Sequence, residues 1–213
     1  MICTVVAEKS YVASAQHVKG FCEWRLDYLD EINIERIRKI IQGKKVILTL
    51  RPSWCGGKFH DESLRKYYLM EIMKLNPFCV DLELHTRGIA ELVSCAQNYG
   101  VKYILSYHNF CETPPLETLH SICEEARRFT PFIVKIITTA NSLEDNLTIL
   151  QFNLEAGSDI ISFCMGGQGI LTRIFCTQYG SVFTYGGEKK ETAPGQLSTK
   201  ELSHLYAILG WSK

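Results

Sequence analysis

The sequence predicts a single-domain (β/α)₈ barrel, or TIM barrel, over residues 1–213. Eight short runs rich in apolar and β-branched residues are separated by segments with helical periodicity. Several of these runs are almost continuously apolar, which is typical of parallel strands covered by helices. An open doubly wound sheet is the alternative, but no G-x-G-x-x-G turn follows any of the runs.

The predicted strands are spread along the whole chain. They cover residues 2–6, 22–28, 46–51, 79–84, 103–108, 132–138, 159–165 and 181–185. Several of the helices between them are predicted over 33–42, 60–75, 88–99 and 168–178. The longest stretch without a predicted element, 186–197, is interpreted as a lid, because long loops in compact domains are usually functional.

Capping signals mark further helices. Ser198 and Glu201 form a capping box ahead of an apolar run, and Thr113-Pro114 is typical of a helix start. Ser142 and Asp145 form a similar pair ahead of a leucine-rich helix. Spacings of four, three and four place its leucines on one helix face: Leu143, Leu147, Leu150 and Leu154.

The overall composition argues against several classes of partner. Lys plus Arg and Asp plus Glu both number 23, and no basic run stands out, which argues against nucleic-acid or membrane-surface binding. The nine cysteines include no C-x-x-C pair and are interpreted as reduced thiols. The N-terminal residues show neither a basic leader nor a long apolar stretch, so a cytoplasmic location is expected. No metal-ligand motif is present in the sequence, and no metal is predicted.

Alternation of side chains along a strand sorts the inward from the outward positions. Val134 and Ile136 suit the helix-covered outside of the barrel, so Lys135 is predicted to point inward. The same argument directs eight ionisable side chains inward: Glu23, Arg25, Asp27, Arg51, Asp81, Glu83, His108 and Lys135. Because buried charge is costly unless paired, and barrel enzymes work at the carboxyl ends of their strands, these residues predict an active site. A structural ion-pair cluster is an equally good interpretation for three of them: Arg25, Asp27 and Asp81.

Lys135 is the strongest catalytic candidate. Lysine is rarely buried, and this one lies within Phe-Ile-Val-Lys-Ile-Ile. Desolvation favours the uncharged amine, which attacks a ketone to form a Schiff base that can accept electrons. His108 ends a strand, where it is either a proton-transfer group or a core histidine with satisfied hydrogen bonds.

The chain resembles the type I 3-dehydroquinate dehydratases of the shikimate pathway almost from end to end. The resemblance is carried by Glu-Trp-Arg-Leu-Asp at 23–27, Thr-Leu-Arg at 49–51, Asp-Leu-Glu-Leu at 81–84, Ser-Tyr-His-Asn-Phe at 106–110, Val-Lys-Ile at 134–136 and Ala-Pro-Gly-Gln at 193–196. It implies a (β/α)₈ barrel that eliminates water from 3-dehydroquinate with syn stereochemistry, giving 3-dehydroshikimate for aromatic amino-acid biosynthesis. It also implies that no metal or cofactor is needed.

The resemblance implies roles for individual residues. Lys135 would form the imine with the ketone, and His108 would move the protons. Matching positions imply that Arg173 and Gln196 hold the carboxylate of a small-molecule substrate. Glu23 and Arg51 would hold ring hydroxyls of the substrate, with Arg25 beside them. Thr192 and Ala193 would close over the substrate as part of the lid. An apolar wall would be formed by Phe163, Met165 and Tyr185. Some positions depart from those of other members: Cys55, Phe163 and Tyr185.

Two other functions remain open at this point. A class I aldolase would use a similar lysine to cleave a carbon–carbon bond, although the Ala-Pro-Gly-Gln segment and Arg173 favour a carboxylate substrate. A barrel without activity, retained as a binding module, is the second. A homodimer, and a fusion to shikimate dehydrogenase in a longer chain, are both compatible with the resemblance.

Overall fold

The computed structural model describes residues 1–188 and 193–211. Its strands are β1 (Ile2–Val6), β2 (Cys22–Arg25), β3 (Val46–Thr49), β4 (Cys79–Glu83), β5 (Lys102–His108), β6 (Ile133–Thr139), β7 (Ile160–Met165) and β8 (Thr184–Gly187). Its helices are α1 (Tyr11–His17), α2 (Ile34–Ile41), α3 (Glu62–Met73), α4 (Ile89–Asn98), α5 (Leu116–Arg127), α6 (Glu144–Ala156), α7 (Ile170–Phe175) and α8 (Thr199–Ile208). Short 3₁₀ turns lie at Leu26–Tyr28, Ser53–Cys55, Gly167–Gly169 and Cys176–Gln178.

Strand and helix alternate along the chain, and the eight strands follow one another in a single sheet in sequence order, with β8 beside β1. This order confirms the predicted (β/α)₈ fold. The chain divides into two compact units, one formed by Val5–Leu105 and the other by Met1–Thr4 with Ser106–Lys213.

In the unit Val5–Leu105, strands β2, β3 and β4 pair in parallel. Arg25 lies opposite Thr49, which lies opposite Asp81, so three polar side chains form one row across the strands. On the alternate positions, Trp24 and Leu48 are completely or almost completely buried among apolar neighbours. The sequence therefore places polar groups on one face of this sheet and core residues on the other.

In the unit that contains Ser106–Lys213, strands β6 and β7 pair in parallel over six positions. Lys135 lies opposite Ile161. The next two residue pairs on the same face are Ile137 with Phe163 and Thr139 with Met165. Val134 and Ile136 occupy the other face and are buried. The inward direction predicted for Lys135 therefore agrees with the register of the two strands.

Some predicted boundaries were wrong. Strand β2 ends at Arg25, and a 3₁₀ turn follows it. Asp27 lies in that turn, so the alternation of side chains along a strand does not set its direction. Asp27 is nevertheless buried. Strand β8 begins at Thr184 rather than at 181, because the Ser181 hydroxyl instead anchors the preceding loop by accepting the backbone N–H of Ser162. Helix α1 was not predicted, since it buries only Ser14 and so lacks an apolar period.

The helix caps agree in part with the sequence signals. Ser198 and Glu201 form the predicted capping box of α8. Asp145 accepts the backbone N–H groups of Ser142 and Asn141 at the start of α6. Thr113 does not cap α5, which starts at Leu116, because its hydroxyl bonds to strand β6 instead.

Of the four leucines predicted to share one helix face, Leu150 is half-buried and the other three are turned to solvent. Leu143 is 59% exposed, Leu147 is 68% exposed and Leu154 is 64% exposed. The helix instead packs through a set of residues on its other side: Asn146, Ile149, Phe152, Asn153 and Ala156. Asn146 is tolerated in the core because its amide donates to the Gln168 carbonyl.

None of the nine cysteines, all of which lie in the described residues, forms a disulfide. Within residues 1–188 and 193–211, no helix is long and apolar enough to cross a bilayer.

Candidate active site

A cluster of buried charges occupies the carboxyl ends of β3 and β4. The Arg51 guanidinium forms an ion pair with Glu83 and lies 3.1 Å from Asp81 Oδ1 and 3.9 Å from Glu23 Oε1. Glu23 also accepts a hydrogen bond of 2.5 Å from the Thr49 hydroxyl. Each side chain in the cluster is buried, which is possible because a single guanidinium is shared by three carboxylates.

Arg25 makes a different kind of contact in the same unit. Its Nε and Nη2 donate to the two oxygens of Asp27, each at 2.8 Å, so the guanidinium forms a bidentate pair. Asp27 further accepts the backbone N–H groups of Arg51 and Lys58. Burial lowers the pKa of Arg25, but the hydrogen bonds and charge of Asp27 outweigh it, and the pKa is raised. This geometry matches the structural ion-pair interpretation of Arg25, and its role in substrate binding stays a prediction.

Burial likewise lowers the pKa of Arg51, but the neighbouring Asp81 carboxylate and other negative charge raise it overall. The guanidinium is therefore a permanent cation. The turn after β3 holds it in place: Phe59 donates its backbone N–H to the Arg51 carbonyl, and Gly57 packs so close to that carbonyl that a side chain would collide with it.

Arg65 was missed by the sequence analysis. It lies on α3, is only 1% exposed and binds both carboxylate oxygens of Glu62. Its guanidinium also donates to the Thr86 hydroxyl and to the Leu50 carbonyl, so it ties the segment before Arg51 to the segment after β4. An arginine three residues after a glutamate is common on exposed helix faces, so the pattern alone does not distinguish a buried arginine.

Lys135 lies at the centre of the second group of predicted site residues. It is 3% exposed, and its Nζ lies 5.0 Å from the centroid of the Tyr185 ring. The Tyr185 ring in turn packs edge-on against Phe163, with 6.2 Å between the centroids. Of the three residues predicted to form an apolar wall, Tyr185 contacts the amine, while buried Phe163 and Met165 lie on the same face of the sheet as Lys135.

His108 is the last residue of β5 and is half-buried. Its imidazole stacks with the ring of Phe110, with 6.1 Å between the centroids and 15° between the planes. The residue after it, Asn109, donates its backbone N–H to the carbonyl of Ile137 on β6, two residues beyond Lys135. His108 is thus held beside the strand that carries the lysine.

Arg173 contacts the segment 193–196, and Gln196 is its last residue. The Arg173 guanidinium is buried, lies 4.7 Å from the centroid of the Phe163 ring and donates to the Pro194 carbonyl at 3.3 Å. Gln196 is buried and closes a turn by donating its backbone N–H to Ala193. Arg173, one of the two predicted carboxylate ligands, is therefore linked to the lysine through Phe163 and Tyr185.

The segment 193–196 docks onto the turn after β7. Gly166 donates its backbone N–H to the Pro194 carbonyl at 3.1 Å. Gly195 has a φ of +70°, and a Cβ there would lie 2.5 Å from the Gly166 carbonyl oxygen. Only glycine fits this close approach. Thr192, the other predicted lid residue, lies outside the described residues.

Chemically, this arrangement combines a nucleophile, a proton carrier and an anion ligand. A buried lysine beside an aromatic wall can form an imine, an imidazole can transfer protons, and an arginine can bind a carboxylate through two hydrogen bonds.

Comparison with known proteins identifies the family of the chain. The sequence model of the Type I 3-dehydroquinase family matches residues 2–213. The 3-dehydroquinate dehydratase of Pyrococcus abyssi is 34% identical over 217 residues, with 99% of each chain covered. A crystal structure of 3-dehydroquinate dehydratase from Geobacillus kaustophilus has a TM-score of 0.88 at 26% identity, covering 100% of this chain and 92% of that chain. The type I enzyme from Clostridium difficile, with covalently modified comenic acid, has a TM-score of 0.87 at 27% identity, covering 100% of this chain and 92% of that chain.

The fold also occurs within a longer chain. The dehydroquinate dehydratase and shikimate dehydrogenase of S. pombe has a TM-score of 0.83 at 22% identity, and the match covers 100% of this chain but 45% of that chain. Because the family model extends over nearly the whole sequence, and the curated relative is similar over nearly its whole length, the chain belongs to the type I 3-dehydroquinase family.

Proposed function

We propose that the protein eliminates water from 3-dehydroquinate through a Schiff base on Lys135, giving 3-dehydroshikimate in the shikimate pathway. As a member of the type I 3-dehydroquinase family, it is a carbon–oxygen lyase. The observation that carries the mechanism is the burial of Lys135 against Tyr185, in the same unit as His108 and Arg173. An amine removed from water in this way is suited to attack a ketone.

The chemistry proceeds in balanced steps. The Lys135 amine adds to the ketone, the hydroxyl of the adduct takes a proton from His108 and leaves as water, and an iminium ion remains; the proton returns to His108 when the iminium is hydrolysed. The iminium acidifies the neighbouring C–H bond, and His108 removes that proton to leave an enamine. The enamine expels the hydroxyl group, which His108 protonates as it leaves. Hydrolysis of the imine uses one water and restores the amine, so one water is lost overall.

The roles of the binding residues follow from the same proposal. Arg173 and Gln196 bind the substrate carboxylate, and Phe163, Met165 and Tyr185 form the apolar wall. Glu23 and Arg51 bind ring hydroxyls, with Arg25 in support. Ala193 and Thr192 close with the lid. The reaction needs no cofactor, because the iminium itself accepts the electrons.

We further propose that residues 1–213 form one domain. We also propose a cytosolic location, which is supported by the nine cysteines that form no disulfide. A homodimer stays a prediction.

Borohydride trapping is the decisive experiment. The protein is mixed with 3-dehydroquinate, reduced and digested, and the modified peptide is identified by mass spectrometry. The expected adduct lies on Lys135. Lys135→Met should abolish both adduct and turnover, whereas Lys102→Met, which removes an exposed strand lysine, should change neither.

Other outcomes separate the remaining functions. Turnover without an adduct on any lysine would exclude the covalent mechanism. Tight binding of 3-dehydroquinate without turnover would favour the binding module. A class I aldolase would instead cleave a carbon–carbon bond. Dehydration gives a conjugated enone, so the appearance of its absorbance distinguishes dehydration from aldol cleavage.

A further inference from the structure

Thr139 directs all three of its polar groups at the segment that follows His108. Its hydroxyl donates to the Asn109 carbonyl at 2.9 Å, and its backbone N–H donates to the Glu112 carbonyl at 3.3 Å. Its own carbonyl accepts the hydroxyl of Thr113 at 3.0 Å. A single residue at the end of β6 therefore contacts the segment 109–113 at three points.

The segment itself is a rigid turn. The Asn109 side-chain oxygen accepts the backbone N–H groups of Cys111 and Glu112, at 2.9 and 3.1 Å. Such a turn closes on its own side chain. Bonds from Thr139 and the Asn109 N–H bond to Ile137, which is 2.8 Å long, attach it to β6, and the Thr138 hydroxyl and the Asn141 amide add further contacts.

Thr139 also shares a strand face with Lys135. It lies opposite Met165 in the same register that places Lys135 opposite Ile161. One strand thus carries the lysine and, four residues later, the hydroxyl that donates to the carbonyl of Asn109, the residue after His108. The two proposed catalytic groups are connected through a short path of backbone and one side-chain hydrogen bond.

We propose that Thr139 is a positioning residue whose hydroxyl sets the place of the His108 imidazole relative to the Lys135 amine. This inference rests on the proposed function for its effect on rate. A substitution at Thr139 can remove this hydroxyl without changing the backbone. Without it, the Asn109 carbonyl loses its side-chain donor, and His108 is held by fewer bonds. Misplacement of a reacting group by about 1 Å can reduce a rate by roughly 100-fold.

Neighbouring Thr138 supplies a matched control. It is completely buried, and its hydroxyl contacts the hydroxyl of Thr113 at 2.9 Å and Cys164 Sγ at 3.5 Å, on the opposite face of the strand. Thr138→Val therefore removes a buried hydroxyl one residue away without removing a bond to Asn109.

The experiment compares Thr139→Val, Thr139→Ser and Thr138→Val in the full chain. Thr139→Val keeps the shape but loses the hydroxyl. We expect it to lower kcat by about 10- to 100-fold, with KM changed by less than about threefold and borohydride trapping on Lys135 retained. The pH profile of kcat should change, and the His108 ring signals should shift in NMR spectra. Thr139→Ser should restore the wild-type pH profile and ring signals, and Thr138→Val should leave them unchanged.

The proposal is overturned if Thr139→Val keeps the wild-type kcat and pH profile, or if Thr138→Val loses as much activity as Thr139→Val. Failure of the proposed function is a separate result, seen when the wild-type protein neither traps nor converts 3-dehydroquinate. Even then, amide hydrogen exchange at 109–113 and the His108 ring signals test the clamp without substrate. Faster exchange in Thr139→Val than in Thr138→Val would support it, and equal exchange would overturn it.

Discussion

The guanidinium of Arg51 lies 3.1 Å from the carboxylate of Asp81, and both side chains are almost completely buried. Because Glu23 and Glu83 share the same guanidinium, Arg51 balances negative charge that has little access to water. The pair is therefore required by the fold as well as by the proposed substrate contacts.

Arg51→Met should destabilise the protein strongly. The substitution leaves buried carboxylates without their cation, which costs about 3–5 kcal/mol. Urea unfolding followed by circular dichroism measures this loss. Arg36→Met is the matched control, since Arg36 pairs with Glu31 at 3.2 Å on the surface, and it should cost less than about 1 kcal/mol. Equal losses in the two variants would contradict the proposed role of burial.

Gly195→Ala should impair substrate binding. The new Cβ would lie 2.5 Å from the Gly166 carbonyl oxygen, so the segment 193–196 could not dock as observed. We expect kcat/KM for 3-dehydroquinate to fall by at least about 10-fold, because Arg173 and Gln196 would lose their alignment.

Gly43→Ala controls for backbone strain in that experiment. Gly43 has the same φ of +70°, but nothing lies within 4 Å of its Cβ position. It should lower stability by about 1–2 kcal/mol and leave kcat/KM unchanged. If both alanine variants lost activity alike, strain and not docking would be the cause.

The exposed leucine face of α6 should contribute little to the stability of the folded chain. Leu147→Gln should change the free energy of unfolding by less than about 0.5 kcal/mol, because the side chain is already 68% exposed. Ile149→Ala, on the buried face of the same helix, should cost about 2–5 kcal/mol. A large loss in Leu147→Gln would show that this face is covered in solution.

Cys111 should be the fastest cysteine to react in the native protein. It is exposed, whereas burial raises the pKa of Cys176 to about 11 and also raises the pKa of Cys164. Since the thiolate is the reactive form, iodoacetamide at pH 8 should modify Cys111 first and the other two only after unfolding. Peptide mass spectrometry measures the order, and Cys111→Ser should remove the fast phase. Rapid labelling of Cys176 in the native state would contradict the buried core around it.

The proposed site shows how much local pattern can predict. Lys135 was identified because its strand neighbours are apolar, and alternation along a strand is a local property that the sequence contains. Arg51 was identified by the same argument, although β3 ends at Thr49 before it. Arg51 is buried, but it lies in the turn that follows the strand, so the prediction that placed it on an inward strand face used an incorrect boundary.

Arg65 and Thr139 were not identified. Their importance depends on groups distant in sequence: Leu50 and Thr86 for Arg65, and the segment 109–113 for Thr139. Arginine is common in helices and threonine is common in strands, whatever the function of the protein. No local pattern distinguishes them from neighbours that face solvent.

The sequence by itself determined the alternation of strands and helices and the pairs of strand positions that share a face, such as Lys135 and Thr139. These follow from periodicity and side-chain chemistry, which act over a few residues. Tertiary structure alone decided that the leucine face of α6 is exposed, that Arg25 is bound by Asp27, and that Thr139 holds the segment after His108. Those outcomes depend on which surfaces and polar groups meet when distant segments pack, and a linear pattern does not encode that directly.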